Sequence, residues 1–319
     1  MITITKYTPE WKSRWDSFIS TSKNGTFLML RDYMEYHSDR FTDYSLILSN
    51  ENRICGLFVA SIHDGGKLVK CHGGLTYGGL ITSKKATFED VKNMFIALND
   101  YMHKNGVGEV IYKAVPYIYH SEPADEDLYV LHSLCKAKLI RRDISSTVDM
   151  TQPVRIRRIR DCGKRKALKH GLSTVLSNDV DSFWEILNST LHARHGVAPV
   201  HSKEELKLLA SRFPDNIRLI TAITPDGSMI GGTILYITDT CIHSQYIATN
   251  DIGRETGALD LIFIDILQSK FDCTEGRRYF DFGRSTEGDG TYVNTALLYQ
   301  KEGFGARAIC YDTYSYRPE

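Results

Sequence analysis

The clearest hydrophobic pattern in the chain lies in residues 258–270, where apolar side chains recur with helical spacing. The apolar positions i, i+3, i+4, i+7 and i+8 are Leu259, Ile262, Phe263, Ile266 and Leu267. This spacing predicts an amphipathic helix whose N-terminus lies beside Gly257. We predict a strand over 243–248 and a turn over 254–258 before this helix, and a second strand over 278–282 after it.

Two further helices are predicted from capping and stop signals. Thr87 is a predicted N-cap, and the apolar stripe that follows it predicts a helix over 88–102. Residues 294–304 are predicted to form a short helix with a glycine stop at Gly303, because glycine there precedes a predicted strand. A strand over 308–314 is predicted to follow that short helix.

The order of predicted elements is repeated faintly in the two halves of the chain. When Trp15 is placed over Trp184, the clear helix of the first half falls on the helix that follows Gly257. Few identical residues accompany this overlay, so chance is an alternative for any single match. The ordered set predicts two domains of similar fold, which we place at 1–153 and 154–319.

Each half has the predicted order helix, strands, helix, strand, helix, strand. We therefore predict an α/β (α+β) fold, in which each domain is a mixed, mostly antiparallel sheet flanked by helices. The composition agrees with this size, because a chain of 319 residues with 42% hydrophobic and 24% charged residues is long enough for two globular domains.

The overall charge and the cysteines exclude several classes of protein. Lys+Arg and Asp+Glu both number 39, which argues against a nucleic-acid binder held by overall charge. No signal pattern or membrane-spanning stretch is recognisable, so we expect a cytoplasmic protein with no transmembrane segment. The seven cysteines form no close pair, and we expect buried thiols and no metal site.

Positive charge is concentrated at the predicted junction between the halves. Residues 155–169 contain eight Lys and Arg residues in a span of fifteen. A solvated connector helix is one interpretation of such a run. The other is a surface that faces phosphates, because clustered Arg and Lys attract CoA, nucleotide sugars or RNA.

Several polar residues occupy positions that could supply a general base. Asp281 stands between two phenylalanines of a predicted strand, and its side chain is therefore expected on the opposite face from theirs. His243 and Gln245 are expected to share one face of the preceding strand, while Glu287 and Glu302 lie on flanking segments. Each residue alone could be an ordinary hydrogen-bonded polar residue. As a group they are candidates for proton transfer.

These motifs resemble the GNAT superfamily of N-acyltransferases. Residues 254–258, between a strand and a helix, look like the pyrophosphate turn of that superfamily, and residues 294–304 resemble its closing helix with a Tyr and a terminal Gly-Phe. The doubling, together with residues 280–287 and 299–306, looks more closely like the FemAB-related branch, in which two GNAT-like domains are fused. Leu259 departs from the turn, which usually closes with Gly or Ala.

The resemblance implies a donor site in the second half. Acetyl-CoA or another acyl-CoA would be the donor, with its phosphates at the turn. Donor contacts are expected from Arg254, Gly257, Ala258 and Asn294. The resemblance also implies that Tyr299 is a general acid that protonates the leaving thiolate, with Asp281, His243 and Glu302 as the other catalytic candidates. The amine acceptor would attack directly, because an amine held in line needs no enzyme nucleophile.

The resemblance also implies that the first half holds the acceptor, because this half lacks a turn of the Arg-x-x-Gly type. The glycine-rich stretch after His72 could let an extended substrate approach the backbone, or could contain only bulges. The residues expected to bind the acceptor are Tyr77, Gly78, Gly79, Lys113, Gln245, Arg284, Glu287, Arg165 and Lys166. We expect the acceptor to enter between the halves and its phosphate or glycan to reach the basic run.

Three functions remain open, and the first of them is the one that we predict. The first is transfer of an acetyl or other acyl group from acyl-CoA to the amine of a cell-surface glycan or cell-wall precursor, with a small-molecule, lipid-linked or nucleotide-linked amino sugar as acceptor. The second is aminoacyl transfer from aminoacyl-tRNA, as in the FemAB peptidoglycan transferases. Those enzymes often carry a long helical hairpin, for which no heptad pattern appears here. The third is a catalytically silent GNAT-like binding module.

Overall fold

The structure is a computed structural model that describes residues 2–195 and 199–319. Helices and strands alternate irregularly in the first part of the chain. They are β1 Thr3–Lys6, α1 Lys12–Thr21, α2 Arg31–Met34, β2 Thr42–Asp43, β3 Leu46–Asn50, β4 Arg53–Val59, β5 Ser61–His63, β6 Leu68–Lys70, β7 Gly79–Thr82, α3 Phe88–Lys104, β8 Glu109–Lys113, α4 Glu126–Ser133 and β9 Lys138–Asp149.

The second part of the chain begins with two helices on either side of a short strand. Its elements are α5 Arg158–Lys169, β10 Ser173–Ser177, α6 Val180–His195, α7 Lys203–Arg212, β11 Ile217–Ile223, β12 Met229–Ile237, β13 Cys241–Thr249, α8 Asp251–Thr256, α9 Ala258–Leu267, β14 Tyr279–Arg284, β15 Thr286–Glu287, β16 Tyr292–Val293, α10 Thr295–Glu302 and β17 Arg307–Tyr316. Short 3-10 helices occur at Pro9–Trp11, Phe27–Met29, Glu35–His37, Asp64–Gly66, Tyr117–Tyr119 and Asp272–Thr274.

The chain forms two compact units. The first extends to Asp143 and also contains Gly288–Thr291 and Cys310–Glu319, while the second contains Ile144–Glu287 and Tyr292–Ile309. The C-terminal strand thus belongs mainly to the first unit. The predicted division at residue 153 cuts the chain only once and so does not include these two later segments of the first unit.

The first unit contains two sets of paired strands. One is an antiparallel sheet in the order β1-β3-β4-β7, and the other has the order β17-β8-β6-β5-β2 with a parallel pair, β6 and β8. Helix α3 supplies much of the core through an apolar face that includes Phe95, Leu98 and Met102. Its N-terminus is held by a capping box between Thr87 and Asp90, which confirms the predicted cap.

The second unit contains the strand order β10-β11-β12-β13-β14-β9. All neighbouring pairs there are antiparallel except β13 and β14, which are parallel. Helix α9 connects these two parallel strands and packs on the sheet, where Phe263 contacts Phe280, Phe282 and Phe304 edge to face. The helix is buried on nearly every side, so its pattern is broader than the single apolar stripe predicted from the sequence.

Two local predictions differ from the structure. Residues 254–258 were predicted as a turn, but Asp251–Thr256 is a helical segment that ends at Gly257 in the left-handed conformation, with φ of 84°. The glycine stop after α10 also differs: Gly303 remains right-handed, and the left-handed glycine is Gly305, with φ of 91°. Both segments still change direction at glycine, as expected where φ is positive.

Candidate active site

The parallel pair β13 and β14 separates partway along its length. The two strands are paired through three positions, and the last of these joins His243 to Asp281. Strand β13 continues to Thr249 and β14 to Arg284, but in the part of the chain that the structure describes the ladder between them goes no further. The strands therefore diverge toward their carboxyl ends, where open sheets commonly bind ligands.

An irregularity in each strand accompanies this divergence. In β13 the pairing with β12 skips Gln245, so this residue forms a bulge. In β14 the pairing with β9 shifts between Asp281 and Arg284, and Gly283 lies there with φ of 78°. The bulge interrupts the alternation on which the predicted shared face of His243 and Gln245 rested.

Asp281 and His243 form a hydrogen-bonded dyad at the last paired position. Nδ1 of His243 lies 2.8 Å from Oδ2 of Asp281. The Asp281 side chain is 0% exposed, whereas that of His243 is 17% exposed. As the alternation predicts, Asp281 points away from the phenylalanines on either side of it, which pack with α9. The dyad therefore combines a buried carboxylate with an imidazole that reaches the surface.

Two hydroxyl groups of β9 donate hydrogen bonds to the carboxyl of Asp281. Ser145 Oγ donates to Oδ1 of Asp281 at 2.6 Å, and Thr147 Oγ1 donates to the same oxygen at 3.0 Å. We infer from the two donated hydroxyls that the Asp281 carboxyl is ionised, in which case it only accepts and the imidazole donates through Nδ1. We infer from this network that Nε2 of His243 carries the lone pair, the tautomer that a general base requires.

Gly283 allows β14 to pass close to this imidazole. A Cβ atom at Gly283 would lie 3.3 Å from Cε1 of His243, a separation that forces a neighbour to move. The positive φ of Gly283 also disfavours any residue with a side chain. Both constraints make glycine the residue that fits beside the outer edge of the His243 ring.

Lys301 holds the backbone just beyond Gly283. Its Nζ donates to the carbonyl oxygens of Gly283 and Arg284, both at 2.8 Å, and to Oγ of Ser285 at 3.1 Å. Burial lowers the pKa of Lys301 to about 8, although the nearby charge of Asp281 acts to raise it. Three acceptors match the three donors of an ammonium group. Lys301 therefore holds the irregular end of β14 in place through these three hydrogen bonds.

Gly257 lies where two helices approach closely. A Cβ atom on this residue would be 2.6 Å from the carbonyl oxygen of Gly163 in α5, too close for any side chain. Ala258 is also buried, at the start of α9. This packing gives Gly257 a structural role, and its proposed role as a phosphate-binding residue stays a prediction.

The other predicted donor residues make local contacts. Arg254 forms an ion pair with Asp251 in the same short helix. Asn294 is the N-cap of α10, because its Oδ1 accepts from the Leu297 N–H at 3.0 Å. Its Nδ2 donates to Oε1 of Glu287 at 2.8 Å. A residue predicted to bind the acyl donor is thus hydrogen-bonded to one predicted to bind the amine substrate. A donor role for these residues stays a prediction.

Tyr299 and Glu302 share a partner, Arg157. The guanidinium of Arg157 lies 4.5 Å from the centre of the Tyr299 ring, and one of its nitrogens lies 3.7 Å from the Glu302 carboxylate. Tyr299 is 58% exposed, whereas Lys301, two residues further along α10, points into the protein. Residues two apart on a helix face different directions. Tyr299 and Glu302 are therefore linked through their shared partner, Arg157.

The predicted acceptor residues of the first unit lie close together. Gly78 N–H donates to the Lys113 carbonyl at 3.0 Å, and Lys113 Nζ donates to the carbonyls of His72 and Leu75. The Tyr77 ring packs in the interior, and a Cβ on Gly79 would lie 2.5 Å from the Tyr112 ring. These contacts explain why the stretch is rich in glycine.

The remaining acceptor candidates lie in the second unit. Arg165 and Lys166 are exposed on α5, and Arg165 pairs with Asp161 one turn earlier. Arg284 is exposed at the end of β14 and contributes its carbonyl to Lys301.

Three residues of the site were not foreseen. Ser145, Thr147 and Lys301 surround Asp281 and the end of β14 without having been candidates from the sequence. The alternation of hydroxyl residues at 145 and 147 was a usable signal, because hydroxyls on one face of a buried strand need a polar partner. For Lys301 the signal was weak, since a lysine on a short helix is ordinarily exposed.

Two further observations concern the chemistry that is available. Within the described residues, no group of three or more His, Cys, Asp or Glu side chains is arranged to hold a metal ion. None of the helices in the described ranges is long and apolar enough to cross a membrane.

Part of the chain that contains His243 and Asp281 matches a known family model. Residues 155–292 match the family model described as an acetyltransferase (GNAT) domain. The solved structure of FemX has a TM-score of 0.70 and 11% identity, and the match covers 99% of this chain and 97% of FemX. L-PGS from Bacillus licheniformis has a TM-score of 0.61 and 11% identity, with coverage of 98% and 93%.

A third solved structure has the same doubled fold. It is a tandem GNAT protein from the clavulanic acid biosynthesis pathway, with a TM-score of 0.51 and 12% identity, and the match covers 100% of this chain and 99% of that protein. At these identities the three likenesses define the fold. No curated protein matches the chain by sequence.

The family model and the doubled fold together define the class. Residues 155–292 match the GNAT acetyltransferase domain model, and the whole chain has the doubled GNAT-like fold that FemX and the tandem GNAT protein share. This confirms the predicted fold class and the prediction of an acyltransferase.

Proposed function

We propose that this protein transfers an acyl group to an amine at the opening between β13 and β14, with His243 as the general base. The observation that carries the proposal is the dyad of His243 and Asp281 at the last paired position of the two strands. A buried carboxylate that accepts from Nδ1 stabilises the imidazolium formed when Nε2 takes a proton. The partial exposure of His243 lets a substrate amine reach that nitrogen.

The proposed reaction has two bond changes. The amine nitrogen attacks the carbonyl carbon of the donor ester, so a C–N bond forms and the carbonyl becomes a tetrahedral oxyanion. Nε2 of His243 takes the proton that the amine nitrogen loses. The C–O bond to the leaving group then breaks as the oxyanion collapses, and the leaving oxygen receives a proton. We retain Tyr299 as the proposed proton donor for that second step.

Aminoacyl-tRNA is the donor that we favour. The fold comparisons support it, because FemX and L-PGS, a lysylphosphatidylglycerol synthetase, are two of the similar structures. The resemblance to the FemAB branch also points to an aminoacyl ester. The packing of Gly257 against Gly163 supports the same choice, since it accounts for the glycine of the turn without a CoA phosphate. Acyl-CoA is the competing donor.

For the acceptor we propose an amine on a cell-wall precursor or a nucleotide-linked amino sugar. The FemAB-like fold supports this class of acceptor. An extended peptide amine or an amino sugar would also suit direct attack, because the reaction requires only a neutral amine held in line with the ester carbonyl.

A paired donor assay tests this function. The protein is incubated with a panel of cell-wall precursors and amino sugars, once with a mixture of tRNAs charged with radiolabelled amino acids and once with radiolabelled acetyl-CoA. We expect labelled product from charged tRNA. Product from acetyl-CoA alone would contradict the proposed donor while leaving acyl transfer in place.

The same assay addresses the alternative of a silent binding module. If neither donor yields product with any acceptor, and titration calorimetry detects binding of an acceptor without turnover, the proposed catalytic function is wrong. Where wild type does form product, the control is His243→Asn. This variant should bind the same acceptor but form product much more slowly than wild type.

A further inference from the structure

Helix α5 divides its positive charges between two faces. The helix contains six Lys and Arg residues and a single acidic residue, Asp161. On the face toward α9, Arg160 pairs with Asp260 and Lys164 pairs with Asp265, both at 2.8 Å. These two cations anchor the helix to the second unit.

The opposite face of α5 carries the remaining cations. Arg158, Arg165, Lys166 and Lys169 are all exposed, and we call them the α5 stripe. Their spacing of i, i+7, i+8 and i+11 places them on one side of the helix. Arg165 pairs with Asp161, but across residues 2–195 and 199–319 no carboxylate forms an ion pair with the other three.

The close packing of α5 fixes the direction of this stripe. A Cβ atom on Gly163 would overlap the Asp260 carboxylate, so the helix lies tightly against α9 along its inner face. With Arg160 and Lys164 held in ion pairs on that face, α5 cannot rotate without breaking them. The α5 stripe is therefore presented to solvent in a fixed orientation.

The apolar residues around the stripe argue against insertion into a membrane. Ile159 and Leu168 are exposed, but they are nine residues apart and lie on opposite flanks of the stripe. A helix that binds a membrane surface presents a continuous apolar face beside its charges. The α5 stripe lacks such a face, and its charge alone is suited to a polyanion.

We propose that the α5 stripe binds the phosphate backbone of the tRNA donor. The proposal rests on the proposed function and adds a docking surface for its donor. Arg158 and Lys169 are separated by about 16 Å along the helix, from a rise of about 1.5 Å per residue. Phosphates follow one another along a nucleic-acid strand every few ångströms, about 3.4 Å of axis per strand in duplex DNA, so a helix of this length can reach several of them.

Backbone binding by a local stripe is compatible with the neutral overall charge of the protein. Phosphate contacts position a nucleic acid without reading its sequence, and a few well placed cations are enough for that purpose. The acids elsewhere in the chain would restrict binding to this helix. The stripe therefore supplies orientation, while the acyl ester is recognised at the diverging strands.

The test measures binding of deacylated total tRNA by fluorescence anisotropy. The stripe variant carries Arg158→Glu, Lys166→Glu and Lys169→Glu, and the matched control carries Lys67→Glu, Lys85→Glu and Lys138→Glu, three other exposed lysines without ion pairs in the described structure. At physiological salt we expect the stripe variant to raise the Kd about 10- to 100-fold and to lower the salt dependence by about two phosphate contacts. The control should stay within about twofold of wild type.

Equal Kd values for the two variants would overturn the docking surface, as would tighter binding of wild type to anionic vesicles than to tRNA. Turnover separates this result from the proposed function. If charged tRNA yields product and the stripe variant has an unchanged KM for it, the function stands and the docking surface is wrong. If wild type neither binds tRNA nor uses it, the donor assignment fails as well. A raised KM with unchanged kcat supports both.

Discussion

Nδ1 of His243 lies 2.8 Å from Oδ2 of Asp281, and these two residues are also the last Cα pair of the ladder between β13 and β14. The hydrogen bond thus fixes the imidazole at the point where the strands separate. Backbone pairing and side-chain pairing reinforce each other at this position, because each sets the spacing that the other requires.

Asp281→Asn is expected to lower kcat about 10²- to 10⁴-fold with little change in KM. The amide has the shape of the carboxylate, but its NH₂ group would favour the other tautomer of His243. Steady-state kinetics with the competent donor measure this effect. Ser145→Ala is the control, since it removes one donor to Oδ1 and leaves the bond to His243. Equal losses in both variants would assign Asp281 a structural role.

Gly257→Ala is expected to destabilise the protein more than Gly276→Ala does. Both glycines have positive φ, 84° and 70°, but only Gly257 faces another backbone, that of Gly163. The shared conformational strain costs about 1–2 kcal/mol, and the clash adds about 1–3 kcal/mol. Urea unfolding compares the two variants. Equal losses of the free energy of unfolding would show that the contact with Gly163 contributes nothing.

Tyr299→Phe is expected to lower kcat, because it keeps the ring beside Arg157 and removes the proton that the leaving oxygen would receive. The matched control is Tyr292→Phe, which alters an equally exposed phenol outside α10. Both variants are compared under conditions where the chemical step limits the rate. A kcat equal to that of wild type would leave Tyr299 as a packing partner of Arg157.

Asp127 is expected to make stability depend on pH. Burial raises the pKa of this carboxyl to about 7, while Tyr112 and the Leu128 N–H donate to it. The folded state then holds a proton that the unfolded state releases from pH about 4 upward. The stabilisation is present at low pH and is lost as pH rises through about 7.

The Asp127→Asn variant isolates this contribution. It should have a lower Tm than wild type at pH 5, because Tyr112 O–H and Leu128 N–H both donate to the carboxyl and an amide has only one acceptor oxygen for the two donors. It should also show a smaller decrease in Tm between pH 5 and pH 8. Thermal unfolding at several pH values measures both slopes. Identical slopes would mean that Asp127 does not titrate in that range.

The sequence predicted the fold where the signals are local. Alternation placed Asp281 on the face opposite Phe280 and Phe282, and Thr87 marked the start of α3, because side-chain direction and capping depend on a few neighbouring residues. The same reasoning placed His243 and Asp281 on consecutive predicted strands, and the structure shows that these strands are paired. These features determine most of the candidate dyad.

The remaining features depend on contacts between distant segments. The bulge at Gln245 follows from pairing with β12, and the need for glycine at 257 follows from the approach of α5. The burial of Lys301 depends on the path of β14 above it. Neither propensity nor periodicity contains this information, since each describes a segment by itself.

The most direct test of the account is the rate of acyl transfer by His243→Asn. Asparagine retains an N–H donor near the place of Nδ1, so it can still bond to Asp281, but it has no atom at the place of Nε2. We expect a kcat about 10²- to 10⁴-fold below that of wild type, with an unchanged Tm and similar KM values. A kcat equal to that of wild type would contradict the assignment of His243 as the base.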